Sequence, residues 1–72
     1  MKTFTIKYHA SRYIVKPIMG HFQRFKVNIN GQEVFFEPDL DGFIRAEAKH
    51  GINMALLLGI AEMIQRTVMI QA

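Results

Sequence analysis

The side chains able to do covalent or acid–base chemistry are few: one serine, three histidines and six carboxylates, with no cysteine, in 72 residues. Ser11 stands two positions after His9. A serine nucleophile needs a base that a third group orients, and no neighbouring residue supplies that third group. His9, His21 and His50 fall in separate segments without the spacing of a zinc site. Asp39-Leu40-Asp41-Gly42 resembles the middle of a calcium loop but lacks the flanking acidic ligands and the distal glutamate, so a turn accounts for it better. The chain is therefore expected to be non-enzymatic, with no cofactor and no metal.

Two other groupings point to binding. Every charged residue before Glu33 is basic: Lys2, Lys7, Arg12, Lys16, Arg24 and Lys26. The remainder is net acidic, with Glu33, Glu37, Asp39, Asp41, Glu47 and Glu62 against Arg45, Lys49 and Arg66. In alternating strands, Lys7, Arg12, Lys16, Arg24 and Lys26 fall on one outward face, with Tyr8, His9 and Tyr13 nearby, where an anion or nucleic acid could bind. The net charge is only +3, and no glycine-rich phosphate loop, RRM-type aromatic motif or helix-turn-helix pattern accompanies it. The preferred reading is that these strands solvate one face and pair with the acidic strands beside them. Nucleic-acid or polyanion binding is the alternative.

The second grouping lies between Ile52 and Ala72. Helical spacing there marks a sheet-facing stripe of Met54, Leu57, Ala61, Ile64 and Val68, and beside it a second line of Leu56, Ile60, Met63 and Ile70. A helix on one sheet is apolar over little more than a third of its circumference, and this one exceeds that. The helix sits deep in a concave sheet, or the second line packs against the same helix of another copy or a different protein, or it lies on a membrane surface, which normally demands a much more basic polar face. The second reading is preferred: an interaction protein, homodimeric or docking another protein through Leu56, Ile60, Met63 and Ile70. Glu62, Gln65 and Arg66 near the middle of the stretch argue against a membrane span.

These residues need elements to position them. Asn30-Gly31 suits a two-residue hairpin turn, whose central positions both take positive φ. Folding there pairs Phe25 with Phe36, Val27 with Val34 and Ile29 with Gln32 on one face, and Arg24 with Glu37, Lys26 with Phe35 and Asn28 with Glu33 on the other. A strand over Phe43–Ala48 follows a Pro38–Gly42 turn and sets Ile44 against Phe36 and Ala46 against Val34, with Gly42 left-handed and Ala48 on the buried face. Upstream, closing His9-Ala10-Ser11-Arg12 sets Tyr8 against Tyr13 and Ile6 against Val15. Pro17 cannot donate to a ladder, so the second strand should end near it, bulge or lie at an edge. Asn53 caps a helix from Met54 toward Gln71, with Glu62 and Arg66 as an i,i+4 pair and Gly59 as a mild cost.

The expected fold is α+β: a small antiparallel β-meander of about five strands with one C-terminal α-helix packed on one face, as a single domain over residues 1–72. Strands one and two could sit on either side of the better-specified hairpin. Phe4, Ile6, Tyr8, Val15, Phe25, Val27, Val34, Phe36, Ile44, Leu57, Ala61, Ile64 and Val68 are the expected core. A chain this short has a small core, and without cysteine no disulfide can reinforce it, which favours oligomerisation. The N-terminal residues lack a signal-peptide pattern, so a cytoplasmic location is expected.

Overall fold

Asn30 and Gly31 adopt φ of 52° and 83°, and the strands on either side pair as their alternation predicts. This is the centre of a computed structural model that describes residues 2–47 and 51–71. Asn28 Oδ1 accepts the Gly31 N–H at 3.1 Å and ties the turn to its own strand. The elements are β1 (Phe4–Tyr8), β2 (Ser11–Ile18), β3 (Arg24–Ile29), β4 (Gln32–Pro38), β5 (Ile44–Ala46) and α1 (Met54–Gln71). The strands form one antiparallel sheet in sequential order, which places β1 and β2 on the β3 side of the central hairpin.

Two registers differ from expectation, each by two residues. Between β1 and β2 the pairs are Phe4 with Val15, Ile6 with Tyr13 and Tyr8 with Ser11. The connection is only His9-Ala10, because His9 takes φ of 56° and allows a tight turn; histidine is among the non-glycine residues that tolerate positive φ best. Between β4 and β5 the pairs are Phe36 with Ala46, Glu37 with Arg45 and Pro38 with Ile44. Here the loop is longer than expected and takes in Phe43. Asp39 N–H donates to the Phe43 carbonyl at 2.8 Å, and Gly42, at φ 86°, donates to the Asp39 carbonyl at 2.9 Å. The loop carboxylates hold further amides: Asp39 Oδ1 accepts from Leu40 N–H and Asp41 Oδ1 from Phe43 N–H, at 2.7 and 3.0 Å. A slip of two keeps every side chain on its expected face. The pairing expected between Arg24 and Glu37 lies beyond the observed register, which ends at Phe25 with Phe36. The Ala48 expectation lies outside the described residues.

Strand β2 ends one residue past Pro17, close to where the proline was expected to end it. The strand runs on to Ile18, opposite Arg24, while β1 has already stopped at the Phe4–Val15 pair. On that side no strand asks Pro17 for an N–H.

One face of the sheet carries Ile6, Val15, Phe25, Val27, Ile29, Val34, Phe36 and Ile44, all buried. The helix covers it, starting where Asn53 Oδ1 accepts the Ala55 N–H at 2.7 Å and the Leu56 N–H at 3.4 Å. Its closest approaches are to the two edge strands, β1 and β5, so the sheet curls around it. That curl buries a wider arc of helix than a flat sheet would, taking in Leu57, Ile60, Ala61 and Ile64, with Leu56, Met63 and Val68 packed against them. On the β5 side Gln65 Oε1 accepts the Ile44 N–H at 2.7 Å, satisfying an edge amide that no strand reaches. No helix among the described residues is long and apolar enough to cross a membrane.

Candidate functional site

The sheet face turned away from the helix gathers the basic residues of β1, β2 and β3. Lys7, Arg12, Lys16, Arg24 and Lys26 all alternate with inward-facing core positions, as their spacing predicts. The pairing adds what spacing could not: Lys7 lies directly opposite Arg12, and Lys16 directly opposite Lys26. Like charges in opposed positions of a sheet repel, so each pair costs stability.

The acidic strand offsets little of this. Lys26 Nζ lies 3.7 Å from Glu33 Oε1, and among the described residues Lys7, Arg12, Lys16 and Arg24 form no ion pair. Arg24 instead places its guanidinium 5.2 Å from the centre of the Phe35 ring, where the π-face attracts it. Lys7, Arg12, Lys16 and Arg24 are exposed to solvent, and of the five basic residues Lys26 alone, among the described residues, pairs with an acidic strand.

Between the two opposed cation pairs runs a row of different chemistry. Asn28 and Glu33 pair across β3 and β4, and Ile14 lies next along from the Val15–Val27 pair, 56% exposed. Together with Arg12, Lys16 and Lys26 they line a shallow depression of about 290 Å³. Asn28 and Glu33 were not among the expected site residues, since only the strand order places them beside cations. Tyr13 also contributes to the lining of this depression, whereas Tyr8 does not. Both pack against the core on the helix side, and His9 meets the Tyr8 ring edge-on at 4.3 Å.

The helical line is not assembled as expected. Ile60 is fully buried, Leu56 and Met63 are partly buried against the core, and Ile70 is 83% exposed. The curl of the sheet takes Ile60 into the core and half-covers Leu56 and Met63, while Ile70 stays exposed. Exposed apolar residues remain on α1 at Met54, Leu58, Met69 and Ile70, and Met19, Phe22 and Leu40 stand on the β2–β3 and β4–β5 loops at one end of the sheet. The loop residues border charges of both signs and nothing around them selects a partner.

The other charged cluster is structural. Arg45 donates from Nε to Asp39 Oδ2 at 3.3 Å and from Nη2 to Asp41 Oδ2 at 3.2 Å, clamping the β4–β5 loop. The Phe43 N–H, and then the Arg45 guanidinium, hold the Asp41 carboxyl below its ordinary value. Among the described residues no three histidine, aspartate or glutamate side chains converge as a metal site would require; His50 lies outside them. Comparison with family models, curated proteins and solved structures finds no match to this chain.

Proposed function

We propose that this domain is a non-catalytic binding module that takes the phosphate backbone of a nucleic acid on its outward sheet face. The observation that carries this reading is the pair of like-charge oppositions, Lys7 with Arg12 and Lys16 with Lys26, relieved among the described residues only by the approach of Glu33 to Lys26. Repulsion of this kind costs folding free energy and returns nothing to the fold. A bound polyanion reverses its sign, because each phosphate placed between two cations is attracted by both and releases condensed counterions. The helical line proposed from sequence has less support, since Leu56, Ile60 and Met63 already have partners within the fold.

Fluorescence anisotropy with a labelled single-stranded oligonucleotide tests the proposal. Binding is expected at low salt and should weaken steeply as salt rises, with a log–log slope of about −0.7 for each phosphate neutralised. The triple variant Lys7→Glu, Lys16→Glu, Lys26→Glu should lose it while keeping the circular dichroism of the parent. Absence of binding at low salt, or binding untouched by the triple variant, would remove the proposal.

A further inference from the structure

A face built only for phosphates has no use for a carboxylate, yet Glu33 on β4 lines the same depression beside Lys26, with its side chain 60% exposed. Its 3.7 Å separation from Lys26 Nζ exceeds hydrogen-bonding distance, so the carboxylate keeps free acceptor positions. Asn28, directly across the strand pair, has the opposite character. Its Oδ1 already accepts the Gly31 N–H, which turns the amide so that its NH₂ group is the open donor. Ile14 adds an exposed apolar surface on the other side of Asn28.

An acceptor, a donor and an apolar surface thus share one depression of about 290 Å³, flanked by Arg12 and Lys16. That volume is near the lower limit of about 300 Å³ for small-molecule sites, and suits one flat heterocycle.

The geometry points to recognition of an unpaired cytosine-type base edge in this depression, an inference that rests on the reading of the face as a nucleic-acid surface. The exocyclic amino group donates to Glu33, the adjoining ring acceptor takes the Asn28 N–H, and the ring lies on Ile14. Arg12 and Lys16 then meet the phosphates to either side. A duplex hides this edge, so the ligand is a single strand. Thymine presents a carbonyl oxygen where cytosine presents its amino group, and it would turn that oxygen toward the Glu33 carboxylate.

The experiment compares oligo-dC with oligo-dT of equal length, two ligands with the same charge and the same ring size. Binding to oligo-dC is expected to be tighter by about tenfold. Glu33→Val, which keeps a strand-forming residue at an exposed site, should bring the ratio to about one while retaining or strengthening affinity for oligo-dT. Asn28→Asp, which preserves the acceptor for Gly31 N–H but removes the donor, should also lower the ratio. Equal affinities in the parent protein, or a preference that survives Glu33→Val, would overturn the base-edge inference. If both oligonucleotides still lost binding in the triple charge-reversal variant, backbone recognition would stand without it. If neither oligonucleotide bound at low salt, both readings would fall together.

Discussion

The phenol ring of Tyr8 lies against Gly59, in the space that a Cβ at that position would fill. A glycine inside a helix costs about 1 kcal/mol relative to alanine, and here that cost lets the end of β1 close onto α1. The sign of a substitution at Gly59 therefore depends on Tyr8. Gly59→Ala should lower stability by about 1 kcal/mol in the parent, because displacing the ring outweighs the gain in helix propensity. With Tyr8→Ala already in place, the same change should raise stability by about 1 kcal/mol. Urea denaturation of the four proteins in the cycle measures both signs. A rise in stability from Gly59→Ala with Tyr8 present would mean the contact does not hold the helix.

Ile60 separates an interior role from an interfacial one. It is fully buried, so Ile60→Ala should cost about 2–5 kcal/mol, a large share of the stability of a domain this size. The loss should be the same at two protein concentrations tenfold apart, since the contacts removed lie within one chain. Ile70→Ala, at an 83% exposed position, should change stability by less than about 0.5 kcal/mol. A denaturation midpoint for Ile60→Ala that moved with concentration in a different manner from the parent would place the side chain between copies instead.

The Asp41 carboxyl sets an acid dependence whose direction follows from its surroundings. The Phe43 N–H and the Arg45 guanidinium favour its charged form, so its folded pKa lies below the unfolded value of about 3.9. The stability it contributes is complete above that unfolded value and is lost as pH falls through the folded one. Carboxyl-carbon NMR should place the Asp41 midpoint below that of an unfolded-chain aspartate. Arg45→Met should recover only part of the difference, because the backbone N–H is the larger cause. An Asp41 midpoint at the unfolded value would show that the loop clamp does not persist in solution.

The parts of this fold legible from sequence are those whose causes are local. Asn30-Gly31 and the alternation on either side suffice for the central hairpin and its register, because the turn demands two positive φ angles and the apolar face permits one parity. Asn53 and the change of period after it mark the start of the helix, because an N-cap acts only on the first turn. Face assignments held for the paired residues of the five strands for the same reason.

The tertiary structure alone decided the rest. Hydrophobic alternation repeats every two residues and is blind to a slip of two, so the registers at His9-Ala10 and at Asp39–Phe43 waited on turn conformations that composition does not reveal. How much of the helix is covered depends on the curl of a sheet assembled from distant strands, and that curl moved Ile60 from an expected contact surface into the core. The candidate site is non-local in the same way. Five basic residues on one face could be read from their spacing, but Lys16 meets Lys26, and Asn28 and Glu33 come to lie beside cations, only because β2 pairs with β3 across the 19–23 loop. Strand order is set by the sum of many weak contacts, and no single residue in the chain encodes it.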